Sequence, residues 1–276
     1  VPRAPPSAYD PSGVPRFFEL AQRLKRHNDL THSIMNLQNK TILVVGGATG
    51  IGRATALMCA QRGASVIVAD ANAVEGGTSA KMSSGTFVPV DVTSEASVKA
   101  LCASIAQSHG KLDGLVQTAG ILKGAYDAIE DFDMATFRQV LEVNTVGSFL
   151  CAKYATPLLK RGHMPVIVLI SSAAAYGVSS SYAYGTSKGG VSALGITMAG
   201  KLAPEGIRVN VVCPGGINTY MKLSVIEEEA RRKGQDPQAA ANHAIPNLGD
   251  PLGVARLLAF LVSEDADYVR GSINTR

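Results

Sequence analysis

One short run constrains this chain more than any other: Gly46-Gly47-Ala48-Thr49-Gly50-Ile51-Gly52, set between an apolar stretch and a helical one. Thr41-Ile42-Leu43-Val44-Val45 leads in with the look of a buried strand, and Arg53-Ala54-Thr55-Ala56-Leu57-Met58-Cys59-Ala60 leads out with that of a helix. A strand that breaks into a glycine turn and opens a helix aims free backbone N–H groups beyond the turn, where the helix dipole favours an anion. Glycines let phosphate approach the backbone without meeting a side chain. The pattern points to a dinucleotide pyrophosphate.

Asp70 closes the next apolar run, Ala64-Ser65-Val66-Ile67-Val68-Ala69, 24 residues after Gly46. A βαβ unit imposes about that spacing between a phosphate turn and a ribose-reading carboxylate. A carboxylate there accepts hydrogen bonds from the adenosine ribose hydroxyls and repels a 2′-phosphate, so NAD(H) is expected over NADP(H).

Beyond Lys40, strand-like segments (41–46, 64–69, 86–90, 112–118, 165–171, 207–212) alternate with helical patterns near 51–62, 94–109, 131–159, 182–203 and 249–263. That alternation predicts right-handed crossovers in an α/β, Rossmann-type, doubly wound parallel sheet with helices on both faces. Ligands on such sheets bind beyond the C-terminal strand ends. With 276 residues, 46% hydrophobic and 17% charged, the chain can bury the core of one such domain, here 37–276. Residues 1–36 read differently, as a proline-rich arm and an amphipathic helix with Phe17, Leu20, Ala21 and Leu24 on one face. Docking of that helix on its own domain or a neighbouring subunit is favoured over a membrane surface.

Net charge is only +4, without a Lys/Arg block interleaved with aromatics, so nucleic acid is not an expected partner. The apolar stretches fall short of membrane-spanning length, and the N-terminus lacks a secretory layout. Cys59, Cys102, Cys151 and Cys213 are far apart and in apolar contexts, which predicts buried thiols in the cytoplasm and no metal site.

Tyr184 and Lys188 stand four apart at the start of a helical run, which puts both on one face. A phenol with an ordinary pKa near 10 is a poor base, and an adjacent ammonium favours its phenolate. Upstream, a buried-looking strand ends in Ser171-Ser172, and downstream comes Val212-Cys213-Pro214-Gly215-Gly216-Ile217-Asn218-Thr219. Taken together, residues 38–273 resemble the short-chain dehydrogenase/reductase family in its shorter, single-domain branch.

The resemblance implies hydride transfer between NAD(H) and a small-molecule secondary alcohol or ketone. Gly46, Gly50 and Gly52 match the family's cofactor glycines, Ile51 the apolar residue between the last two, and Asp70 the residue choosing NAD. Asp91 and Val92 match the pair at the adenine, and Ala119-Gly120 the end of the Asn-Asn-Ala-Gly turn. Asn144 matches the asparagine that anchors a proton-relay water, Tyr184 the general acid/base, and Lys188 the residue that lowers its pKa and holds the nicotinamide ribose. Pro214, Gly215, Ile217 and Thr219 match the segment that seats the nicotinamide, and residues 220–248 a substrate lid. The resemblance also implies a homo-oligomer, a dimer or tetramer.

For the serine that holds the substrate oxygen, Ser172 fits by its place after the strand and Ser171 by its spacing to the tyrosine; Ser172 is preferred. Met221, Leu223, Val225 and Ile226 are expected to form an apolar underside to the lid, and Ile121, Leu122, Tyr176 and Val178 to line the pocket. The charged run Glu227–Lys233 reads as a solvated helix face. Val45 and Gln117-Thr118 depart from the family's threonine and paired asparagines, which predicts looser hydrogen bonding at the cofactor turn. Tyr268–Ile273 resembles the approach to the family's last strand, though Asp-Gly-Gly does not follow. A catalytically silent scaffold of the same fold is the alternative function, with a sugar-nucleotide epimerase behind it.

Overall fold

A computed structural model describes residues 36–274. The N-terminal arm and its expected helix lie outside the described residues. Seven strands form one parallel sheet: β1 (Thr41–Val45), β2 (Ser65–Asp70), β3 (Thr86–Pro89), β4 (Gly114–Gln117), β5 (Val166–Ile170), β6 (Arg208–Cys213) and β7 (Gly271–Asn274). Their order is β3-β2-β1-β4-β5-β6-β7. The six expected strands are present, and the segment beyond Arg270 adds the seventh beside β6.

β1, β5 and β6 are buried along their whole length, because helices cover both faces. One face packs on α1 (Gly50–Gln61) and, from the other end of the sequence, a helix over Pro251–Val262. Ile42, Val44, Val116 and Val168 meet Ala56, Cys59, Leu258 and Leu261 there. The other face packs on α3 (Glu95–Ser108) and on the helices over 147–159 and 182–202. Successive strand residues alternate between these two cores, as a pleated strand requires.

Sequence periodicity passed over α2 (Ala73–Met82). Two glycines weaken its helical pattern, yet Gly76 lets Phe87 pack where a Cβ would lie 2.1 Å from its ring, and the Asn72 side chain caps the N–H of Glu75. The single helix expected over 131–159 is α4 (Met134–Leu141), a π-helical turn over Glu142–Val146, and α5 (Gly147–Leu159). α6 is Tyr182–Leu202. The segment expected to form a lid holds α7 (Tyr220–Arg232) and α8 (Pro237–Ala244), ahead of α9 (Pro251–Val262). Strands are added outward from β1 to β3 on one side and from β4 to β7 on the other, and the crevice outside the C-terminal ends of β1 and β4 is where such sheets take ligands.

Candidate active site

The glycine turn leaves β1 and is locked to the end of β4. Gly46 has φ +77°, a conformation that side chains resist, and a Cβ on it would lie 2.3 Å from the Ala119 nitrogen. A Cβ on Gly52 would lie 2.1 Å from the Gly46 carbonyl oxygen. Thr118 donates its hydroxyl to the carbonyls of Val45 (2.7 Å) and Gly46 (3.1 Å), so this departure tightens the turn. Gln117 behaves as expected of a misfit: its amide is buried with neither atom hydrogen-bonded. Gly50, at φ +54°, starts α1, and Ile51 packs against the core in its first turn. Thr49, the N-cap, makes no side-chain capping bond, which leaves the first-turn N–H groups open to an anion.

Asp70 sits beside this turn. Its Oδ2 accepts from the Ala48 N–H (3.0 Å) and its Oδ1 from that of Asn72 (2.9 Å). Asp91 folds a local turn by accepting from the N–H and hydroxyl of Thr93, and Val92 is buried against Gly147. Gly120 backs directly onto the reactive corner, where a Cβ would lie 3.2 Å from Asn144 Oδ1 and 3.3 Å from Lys188 Nζ. Pro214 is tied to the serine loop, its carbonyl accepting from Ala173 (2.9 Å). Ile217 bridges to Gly249 at the far edge of the lid. Thr219 caps α7, and its methyl lies 3.2 Å from where a Gly50 Cβ would stand. Segment 214–219, Gly215 included, thus runs from the serine loop to the glycine turn.

Tyr184 and Lys188 share one face of α6, with the Nζ 5.6 Å from the ring centroid. Ser172, N-cap of a short turn after β5, accepts from the Ala174 N–H and hydrogen-bonds the Tyr184 hydroxyl. Ser171 is turned away: it donates to the Lys188 carbonyl (2.7 Å), accepts from the Ser192 hydroxyl (2.8 Å) and is buried. The two adjacent serines point to opposite sides of the strand, and only Ser172 meets the tyrosine.

Burial pushes the Tyr184 pKa up, and the Ser172 hydrogen bond partly offsets it. Lys188 Nζ donates to the Ile170 carbonyl (2.8 Å), and burial pulls its own pKa down to about 8. Asn144 lies in the π turn, a feature that often marks functional sites. Its amide accepts from the Ile121 N–H (2.8 Å) and donates to the Ile121 carbonyl and the Ser187 hydroxyl (2.9 Å each). It therefore clamps the β4 loop to α6, one residue before Lys188.

Over this corner lies loop 121–131. A cavity of about 240 Å³ opens between Leu122–Asp127 and Ser224, Val225, Glu228 and Arg232 of the lid. A second hollow, of about 570 Å³, lies between Tyr126, Asp127 and residues 178–182. Both flank the loop without reaching Ser172 or Tyr184. Of the expected lid underside only Val225 is fully buried, Tyr176 is exposed, and Val178 stands wholly in solvent. The charged run on α7 makes its own i,i+4 pairs, as a solvated face would, but Glu229 and Arg232 also reach Tyr126 and Asp127 across the cavity. Periodicity could not show those partners, which lie about a hundred residues upstream. Ser181 caps α6 at the Tyr184 N–H, a role that a serine just ahead of a helical run signals in sequence.

The family profile described as enoyl-(acyl carrier protein) reductase matches residues 46–275. The chain belongs to the short-chain dehydrogenase/reductase family. It is 34% identical to a 2,5-dichloro-2,5-cyclohexadiene-1,4-diol dehydrogenase of Sphingobium indicum, over 86% of this chain and 95% of that one. It is 36% identical to a cis-4-hydroxycyclohexanecarboxylate dehydrogenase of Sinomonas cyclohexanicum, over 85% and 93%. Among solved structures, a short-chain type dehydrogenase/reductase from Mycobacterium ulcerans superposes with a TM-score of 0.76 at 28% identity, covering 87% of this chain and 88% of that one. The chain is thus an oxidoreductase acting on CH–OH groups with a nicotinamide cofactor. Residues present suit that cofactor: a glycine turn with no room for side chains, uncapped N–H groups behind it, and Asp70 alongside.

Proposed function

We propose that this enzyme interconverts a compact cyclic secondary alcohol and its ketone, with NAD(H) as the nicotinamide cofactor. The observation that carries the reading is the corner where Ser172, Tyr184 and Lys188 meet, with Asn144 clamped beside them. A bound nicotinamide supplies the hydride acceptor or donor. Tyr184 exchanges the proton with the substrate oxygen, and Ser172 holds that oxygen and stabilises the charge developing on it. Lys188 brings a positive charge to the phenolate side and passes the proton on towards solvent, along a path that Asn144 positions.

Gly46, Gly50, Ile51 and Gly52 cradle the pyrophosphate, Asp91 and Val92 flank the adenine, and Ala119, Gly120, Pro214, Gly215, Ile217 and Thr219 surround the nicotinamide end. Asp70 supports NAD(H) over NADP(H), because a carboxylate held against the glycine turn repels a 2′-phosphate. The six-membered carbon rings in two relatives' names, a cyclohexadiene and a cyclohexane, support a compact cyclic substrate. Val146, Phe149 and Ile196, exposed near or on α5 and α6, support association into a dimer or tetramer. Four buried thiols support work in the cytoplasm.

A fluorescence titration with NADH and NADPH in parallel, followed by a panel of cyclic alcohols with NAD⁺, tests the reading. Tight NADH binding, weak NADPH binding and turnover of a ring alcohol are expected. Stronger NADPH binding overturns the role given to Asp70, and no turnover across the panel overturns the substrate class.

A further inference from the structure

Loop 123–127 bonds to two separate elements. On one side is the lid: the Tyr126 hydroxyl donates to Glu229 Oε2 (2.8 Å), and Arg232 Nη2 donates to Asp127 Oδ1 (2.8 Å). On the other is the start of the catalytic helix. Tyr126 N–H donates to the Ser180 carbonyl (2.7 Å), and the Ser181 hydroxyl donates to the Lys123 carbonyl (2.6 Å). That same Ser181 oxygen accepts from the Tyr184 N–H (3.3 Å). The hydrogen bonds and the short loop therefore run from α7 to the backbone of Tyr184.

The loop carries strain where the two sets of bonds meet. Tyr126 has φ +66°, a left-handed conformation that a bulky residue adopts only when its surroundings enforce it. Gly124, also at φ +66°, lies on Phe132, whose ring meets Tyr182 edge-on at 5.6 Å at the first residue of α6. A Tyr at positive φ, bonded at its N–H to one element and at its hydroxyl to another, is held by both.

We propose that loop 123–127 is a strut that couples closure of the lid helix to the placement of Tyr184, with Tyr126 and Asp127 as positioning residues for the reaction. When α7 is seated, Glu229 and Arg232 hold the strut and the strut holds the N-cap of α6. When α7 lifts to admit substrate, the strut relaxes and Tyr184 loses its fixed position. The inference rests on the proposed role of Tyr184, and its test separates the two.

Hydrogen–deuterium exchange on the full chain, read by mass spectrometry, compares the wild type with Tyr126→Phe and Arg232→Gln. Each variant is expected to speed exchange severalfold both in the lid (220–233) and at the start of α6 (181–186). A response confined to the lid, or none at all, overturns the strut. In steady-state kinetics, Tyr126→Phe is expected to lower kcat about tenfold, the scale of one charge-assisted hydrogen bond, with NADH affinity unchanged. A change in KM alone assigns the loop to binding and likewise overturns the proposal. Should Tyr184 prove dispensable for turnover, the proposed function falls, while the exchange result still decides the coupling.

Discussion

At the N-terminal ends of the strands, Asp113 is buried with both oxygens fully used. Oδ1 accepts from the His163 N–H (2.6 Å) and Lys111, and Oδ2 accepts from the Thr41 N–H (2.7 Å) and pairs with Lys111 (3.0 Å). At the C-terminal ends, Lys188 is equally buried, yet its ammonium donates one hydrogen bond, to Ile170. Their titration differs accordingly. Burial pushes Asp113 up, but its N–H donors and Lys111 outweigh it and hold the carboxyl below its usual range. For Lys188 burial wins over the one upward influence, from Cys213, and its pKa is pulled down to about 8. A saturated buried charge holds a fold together, whereas an undersupplied one is a cost that chemistry can use.

The comparison can be broken from either end. The largest expected effect is at the reactive end: Tyr184→Phe lowers turnover by about a thousandfold or more, with NADH binding kept. Substantial residual turnover would remove Tyr184 from the chemistry. Next comes the structural end. Asp113→Ala costs about 3 kcal/mol in urea unfolding, and turnover per folded molecule stays the same. Because the folded pKa of Asp113 lies below the unfolded one, its contribution is present above the ordinary carboxylate range and is lost as pH falls through the folded value. An unfolding midpoint that Asp113→Ala leaves unmoved at pH 7 would show that the network does not stabilise.

The adjacent serines give the finer test. Ser172→Ala is expected to cost about a hundredfold in kcat, because its hydroxyl meets the tyrosine and, in the proposed reaction, holds the substrate oxygen. Ser171→Ala is expected to cost about 1 kcal/mol of stability and little turnover, since it breaks bonds to Lys188 and Ser192 behind the helix. The reverse order of kinetic damage would exchange the two roles.

Legibility in the sequence followed the same division. Gly46 could be read because its conformation and its contact with Ala119 exclude other residues, and Tyr184 with Lys188 because helix geometry puts them on one face. β1, β5 and β6 could be read because a strand buried on both faces must be apolar throughout. The π turn at Asn144 left no trace, since Glu142–Val146 continues a helical pattern and only the extra residue in the turn redirects the side chain. α2 stayed hidden because tertiary packing of Gly76 on Phe87 overrides weak propensity. The lid's anchoring was unreadable because Glu229 and Arg232 find their partners on a distant loop.

The most direct test of the contrast between the two ends is the urea unfolding midpoint of Lys188→Met at pH 7. Methionine fills much of the same space, removes the buried charge and gives up one hydrogen bond worth about 1 kcal/mol. Lys188 is held at the fold's expense, so the midpoint is expected to rise while turnover is lost. A midpoint that falls would mean that the ammonium stabilises the fold, and the distinction between a structural and a reactive end would not stand.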